Sequence, residues 1–340
     1  MKGRFFIGCG FLKVRLPLAV VLMAAWCVAH SAPAADPLGP LRQMMGRPPA
    51  ELDLAQAKLA IDRLIDPATD APAILRRLDI LAAAVRSGFP PNATDRQKLE
   101  ALLVYLYQPG PWNDDHPFTY DLADPMGREL RNKLLSTYLT TRKGNCVSMP
   151  ILVVILGQKL GLHVTLATAP EHVLVKYRDD NGEWMNVEAT AGGYETDAGY
   201  VRRMGISEKA VTNRIYLRPL NQREAVGVML STLMEFYGKR GQAAQRVAVA
   251  DLALEANPKD TVAMLHKASG YYVILQERYK GRYPAPADIP TEQRPDYYEL
   301  SQGNLRLFAQ AEALGWVEPT REKEDNYLQS IEREKARRGQ

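Results

Sequence analysis

The sequence predicts an α+β protein, on three observations. A helical period of apolar residues runs, with breaks, from Glu51 to Leu160. Strict alternation of apolar and polar residues takes over from Leu162 to Ala189, and the helical period returns from about Gln222 onward.

The first 34 residues stand apart from this pattern. Lys2, Arg4, Lys13 and Arg15 come without an acid, the apolar run Leu16 to Val28 follows, and Ala32-Pro33-Ala34 closes the segment. That order predicts a secretory signal over residues 1–34, hence export, with a periplasmic location if the source is a Gram-negative bacterium. The apolar run is shorter than the ~20 residues of a membrane span, so a membrane attachment is expected only if the segment stays uncleaved. Cys9 and Cys27 lie inside it, which leaves Cys146 as the sole cysteine of the mature chain. A solitary thiol in an exported protein has no intrachain partner, so it is either buried and inert or kept for reactivity. Removing four positive charges from a formal +4 brings the mature chain close to neutral. A nucleic-acid partner, which needs a basic surface to neutralise phosphates, is thereby excluded.

The elements follow in order. Residues 36–50 are rich in Pro and Gly and read as a linker. Leu54, Leu59, Ile61, Leu64 and Ile65 mark one helix and Ile74, Leu75, Leu78, Leu81, Ala82 and Val85 a second, separated by Pro67 and Pro72. A third runs from Asp95 to Tyr107 and stops at Pro109-Gly110-Pro111. The polar, aromatic loop Trp112 to Asp124 leads to a helix carrying Leu130, Leu134 and Leu135. From Pro150 to Leu160 the residues are apolar on every side, which predicts a helix surrounded by protein. Leu162, Val164 and Leu166 form one strand, and Val173, Val175 and Tyr177 another. Asp179-Asp180-Asn181-Gly182 is a hairpin turn into a third strand from Trp184 to Ala189. If residues summing to 360 pair, His172 and Glu188 face each other directly across this ladder. Beyond Gln222, Leu230 and Tyr237 recur 34 residues later as Met264 and Tyr271, the period of a tetratricopeptide hairpin. Tyr297 to Leu314 and Glu322 to Arg337 read as closing helices, the last solvated. About 300 mature residues leave room for two or three compact units. The expected organisation is a signal peptide (1–34), a linker and N-terminal helices (35–98), a core (99–220) and a repeat-like helical region (221–340).

The chemistry concentrates on three side chains. Cys146 sits in Lys143-Gly144-Asn145-Cys146-Val147-Ser148, a polar turn that opens the apolar helix, His172 follows 26 residues later, and Glu188 ends the third strand. Thiol, imidazole and carboxylate are the parts of a cysteine nucleophile with its base and orienting acid. A free thiol titrates near ~8.5, and a helix N-terminus lowers that by about one unit, so an adjacent imidazole must supply the rest. Asn145 and Ser148 are both candidate N-caps, Gly144 permits close backbone approach, and the Cys146 N–H is a candidate oxyanion donor. His163, His266, Tyr271-Tyr272 and Tyr297-Tyr298 read as packing residues. Asp114-Asp115-His116 lacks the further ligands a metal would need, so neither metal nor cofactor is expected. Asn92-Ala93-Thr94 matches a glycosylation acceptor.

Arg142-Lys143-Gly144-Asn145-Cys146, Leu160-Gly161-Leu162, Glu171-His172-Val173-Leu174-Val175 and Trp184-Met185-Asn186-Val187-Glu188-Ala189-Thr190 together resemble the core of the bacterial transglutaminase-like superfamily. The upstream helices, with Asp53-Leu54-Ala55 and Leu75 to Val85, resemble the subgroup that precedes this core with helices and follows it with tetratricopeptide-like helices. The likeness spans most of residues 50–275. It implies a papain-like fold: a buried, Cys-bearing helix packed on a small antiparallel sheet, flanked by N-terminal helices and a C-terminal helical repeat region. It also implies Cys146 as nucleophile, His172 as base and Glu188 as orienting acid, supported by Asn145, Ser148, Trp184 and Asn186. Members act as peptidases, amidases or protein cross-linkers, so the expected partner is a protein or peptide substrate. Two departures stand out: Glu188 occupies the place of the usual Asp, which makes Asn186 an alternative orienter, and no aromatic residue follows His172. The alternative expectation is an inactive envelope scaffold that binds a protein partner through its C-terminal helices.

Overall fold

In the computed structural model, which describes residues 36–338, the chain is α+β, with helices before and after a four-stranded antiparallel sheet. The expected signal segment, residues 1–34, lies outside the described residues. Residues 36–50, expected as a linker, carry α1 (Gly39–Met45) and a short 3₁₀ turn. Leu38, Leu41 and Met45 are spaced by three and four and are all buried, so one apolar stripe holds this Pro- and Gly-rich stretch to the core.

Three helices follow with side-chain caps that explain where each begins. Asp53 caps α2 (Leu54–Ile65), Asp70 caps α3 (Ala71–Ser87), and Thr94 with Gln97 forms a reciprocal box on α4 (Asp95–Tyr107). Strand β1 (Thr119–Tyr120) comes next. The helix expected around Leu130 to Leu135 is instead a 3₁₀ turn at Leu130–Lys133 followed by the short α5 (Leu135–Thr141). A buried ion pair accounts for the break. Lys58 and Asp62 of α2 pair with each other, Lys58 Nζ donates to the Lys133 carbonyl at 2.9 Å, and Asp62 Oδ2 accepts the Leu135 N–H at 2.9 Å. Each of these contacts uses a backbone group that a continuous helix would have used internally.

Strand β2 (Lys143–Gly144) pairs in parallel with β1, placing Tyr120 opposite Gly144. Helix α6 (Ser148–Lys159) is buried from Ser148 through Gly157, as its all-round apolar pattern predicts. It packs on the sheet formed by β3 (Val164–Ala169), β4 (His172–Arg178), β5 (Trp184–Glu188) and β6 (Gly193–Glu195), in that order. Val164, Leu166, Val173, Val175, Tyr177 and Val187 share the main core with α6. The alternate positions Ala167, Ala169 and Leu174 meet Tyr200 of α7 (Asp197–Met204) and Ala210 of α8 (Glu208–Thr212) on the opposite face. His172 and Glu188 have the parity of Leu174 and belong to that second face.

The chain ends in α9 (Gln222–Lys239), α10 (Ala243–Ala256), α11 (Thr261–Leu275), α12 (Arg294–Leu314) and α13 (Arg321–Arg338). Helices α9 to α12 each pack on the next, and α9 also packs on α2 and β3. Val226, Met229 and Leu233 consequently share one core with α6, whereas α11 and α12 build smaller clusters around Leu275 with Leu300 and Ala268 with Ala311. No helix of the described residues is long and apolar enough to cross a membrane.

Candidate active site

The cysteine turn is built by its neighbours. At Gly144 a Cβ would lie 2.6 Å from the Tyr138 ring and 2.7 Å from Ser148 Oγ, so only glycine lets the chain pass this close. Asn145 Oδ1 accepts the N–H groups of Val147 (3.0 Å) and Ser148 (3.2 Å), and Ser148 Oγ accepts the Asn145 N–H (3.1 Å). This reciprocal arrangement ties Asn145 to Ser148 across the turn and satisfies the first N–H of α6, while Val147, the residue at the cap position, makes no side-chain cap bond. It leaves one conspicuous group: among the described residues no hydrogen bond uses the backbone N–H of Cys146. The half-buried thiol itself donates to the Glu171 carbonyl at 3.8 Å.

Glu171 belongs to the two-residue turn Pro170-Glu171 that joins β3 to β4, and its φ of 55° places it in the left-handed region. A non-glycine residue there is uncommon and carries a steric cost. The turn ends at His172, so one strained peptide positions both the carbonyl that receives the thiol and the imidazole beside it.

The His172 imidazole lies between the other two groups in the chain of contacts. Its Nε2 lies 2.8 Å from Glu188 Oε2. Cys146 reaches the same corner through the carbonyl of Glu171, the residue before His172. Burial disfavours the imidazolium, but the hydrogen bonds to Cys146 and Glu188, reinforced by their charges, outweigh it and raise His172 to about 9. Burial likewise works against the Glu188 carboxylate, and hydrogen bonds from His172, Thr190 and Tyr200 overcome it, lowering Glu188 to about 2. Oε1 accepts the Thr190 N–H (3.1 Å) and hydroxyl (2.6 Å), and Oε2 accepts the Tyr200 hydroxyl (2.7 Å), with Arg203 Nη2 3.7 Å away.

The strand register differs from the expected one in an informative way. Val175 pairs with Val187 and Arg178 with Trp184, so partners sum to 362 rather than 360. The connection is a longer loop, in which Asp179 Oδ1 accepts the N–H groups of Asn181 and Glu183. Continuing the register sets Glu188 opposite Leu174, and His172 is its diagonal neighbour on the same face. A two-residue shift preserves the face where a one-residue shift would not. Diagonal neighbours lie farther apart than direct pairs but within reach of long side chains. The extra methylene of Glu188, relative to Asp, spans that distance.

Helix α6 and the imidazole occupy opposite faces of the sheet, yet the thiol reaches the carbonyl of Glu171, next to His172 in the chain. Cys146 precedes the first residue of the helix by two positions and His172 is the first residue of β4, so they meet at the end of the sheet rather than through it.

Two expected supporting residues are elsewhere. Asn186 Nδ2 donates to Asp197 Oδ1 (2.7 Å), an oxygen it shares with Lys176 Nζ (2.8 Å). Glu188, not Asn186, is therefore the side chain bonded to the imidazole. Trp184 lies at the far end of β5, opposite Arg178, and is 40 % exposed. Sequence reasoning missed Thr190, Tyr200 and Arg203. A threonine two positions after a carboxylate is a local turn signal that could have been read; Tyr200 reaches the site from a separate helix and carried no such signal.

Residues 72–231, from within α3 to within α9, match the family model described as the transglutaminase-like superfamily. This stretch contains Cys146, His172, Glu188 and every group that holds them. No curated protein and no solved structure matches the chain.

Proposed function

We propose that the protein is an exported cysteine enzyme that opens an amide or peptide bond through a thioester at Cys146. The observation that carries this reading is the His172 imidazole, bonded through Nε2 to Glu188, with the Cys146 thiol donating to the carbonyl of the preceding residue, Glu171. In the first step the sulfur, its proton transferred to Nδ1 of His172, attacks the carbonyl carbon. The oxyanion forms within reach of the unused Cys146 N–H. As the C–N bond breaks, the imidazolium returns its proton to the leaving amine, leaving the acyl group on sulfur. Water or a primary amine, deprotonated by the same ring, then attacks the thioester and releases the thiol. Glu188 stays ionised throughout, fixing the ring and stabilising its cation. A protein or peptide supplies the carbonyl, and a periplasmic setting follows if the source is Gram-negative.

The test is labelling of Cys146 by an alkylating probe near neutral pH, located by peptide mass. Fast labelling in the wild type that drops to the rate of a free thiol in His172→Ala is the expected result. Equal rates in both would sink the enzymatic reading. The second reading, a scaffold that binds a partner through tetratricopeptide-like C-terminal helices, draws on the exposed Tyr272, Tyr298 and Leu305 of α11 and α12. A labelling rate independent of His172 favours it.

A further inference from the structure

Helix α13 is attached to the rest of the protein unlike any other helix. Its 18 residues are mostly charged. The linker before it is anchored where Ser207 Oγ donates to the Gly315 carbonyl at 2.8 Å. From there its first two turns reach two separate walls. On one side Lys323 Nζ donates to the carbonyl of Met204 at 3.4 Å, the last residue of the helix that presents Tyr200 and Arg203 to Glu188. On the other side Glu324 pairs with Arg128 at 3.2 Å. The Tyr327 and Tyr120 hydroxyls lie 2.8 Å apart and share the Pro125 carbonyl, at 3.1 and 2.7 Å. Tyr120 is the strand partner of Gly144, two residues before Cys146.

One wall therefore adjoins the thiol and the other adjoins the carboxylate. Helix α13 is bonded to both walls. Burial and the charges of Cys146 and Glu188 raise the Tyr327 hydroxyl against the hydrogen bond with Tyr120, and burial and Glu324 raise Glu171 against Lys323. These attachments are polar and partly exposed, and one further turn along the helix Ile331 is buried. The Arg128 and Glu324 side chains are 74 % and 42 % exposed, and such pairs contribute little to holding a helix down.

We propose that α13 is a self-docked strap, whose first two turns lie across the approach to Cys146 and swing aside when a polypeptide is to reach the sulfur. The proposal rests on the enzymatic reading only in treating that space as a substrate path. Its test measures access alone. In the full-length protein, Cys146 is labelled with N-ethylmaleimide and, separately, with a maleimide carried on a bulky dextran, and the modified peptide is quantified. Glu324→Ala with Tyr327→Ala removes contacts of exposed or half-exposed side chains. It is expected to raise the dextran rate about tenfold, as losing one or two net hydrogen bonds does to a closed population, while the small probe moves far less. Glu324→Arg alone, which sets two guanidinium groups against each other across an exposed gap, should raise the dextran rate by much less. Dextran rates unchanged in the Glu324→Ala, Tyr327→Ala variant overturn the strap. A rate that ignores His172 but responds to Tyr327 would instead defeat the enzyme and leave the strap standing.

Discussion

The two halves of the candidate site are finished to different degrees. On the sheet side, Glu188 has both oxygens filled by Thr190, Tyr200 and His172, with Arg203 nearby, and its side chain is almost wholly buried. On the helix side, Cys146 is half-buried, its sulfur makes one long contact to a carbonyl, and its backbone N–H is unused among the described residues. The carboxylate already has its hydrogen-bond partners, whereas the cysteine keeps unspent hydrogen-bonding capacity. A transition state forms new bonds only where donors are free, so the contrast marks the sulfur side as the place where a ligand would add to the structure and the carboxylate side as its fixed support.

Substitutions on the finished side should break this division most visibly. Glu188→Gln removes the charge that holds the imidazolium and leaves Tyr200 and Thr190 facing an amide; turnover of an amide substrate should fall by about 10³-fold or more. The pH dependence carries a second signature. His172, raised to about 9, contributes stability that is fully present below its ordinary value and lost as pH rises through about 9. Glu188, lowered to about 2, contributes stability present above the ordinary carboxylate range and lost as pH falls through about 2. Thermal melting compared between wild type and Glu188→Gln should therefore show its largest gap between the ordinary carboxylate and imidazole values, 4.5 and 6.5, narrowing toward both extremes. A gap independent of pH would mean that the pair is not charged.

Tyr200→Phe asks whether the carboxylate needs its full set of donors. Loss of one hydrogen bond to a charged group predicts about a tenfold loss of turnover, together with a downward shift of the His172 titration followed by NMR, while KM holds. A loss of stability without any shift in that titration would make Tyr200 a packing residue only. The smallest effect belongs to the unfinished side. Asn145→Ala deletes the acceptor of the first α6 N–H and should lower stability by about 1 kcal/mol, read as a decrease in melting temperature, whereas Asn145→Asp, which keeps an acceptor, should lose less.

How much of this was legible depended on how far apart in the chain the cooperating groups lie. The all-round apolar run to Leu160, the capped helices before it and the alternation around His172 are local patterns, and each became the expected element. Asn145, Ser148 and Gly144 could be placed because a helix start is decided within a few residues. The stretch at 36–50 was misread because its prolines and glycines outweighed Leu38, Leu41 and Met45. The continuous helix expected near Leu130 failed for a different reason: Lys58 and Asp62, more than seventy positions away, claim the backbone groups of Lys133 and Leu135. Asn186 as an alternative orienter follows from the length of Glu188 and Trp184 from its place in the resembling block, whereas the partners each takes, Asp197 and the strand end opposite Arg178, are not readable from spacing.

Sequence periodicity determined the layers of this protein and the parity that puts His172 and Glu188 on one face, because both follow from the geometry of a single helix or strand. The register of the hairpin, the donors that converge on Glu188 from α7, and the meeting of Tyr327 with Tyr120 across 207 positions were decided only by tertiary structure. A hydrogen bond selects distance and angle in space, and no short-range pattern encodes which distant group will satisfy them.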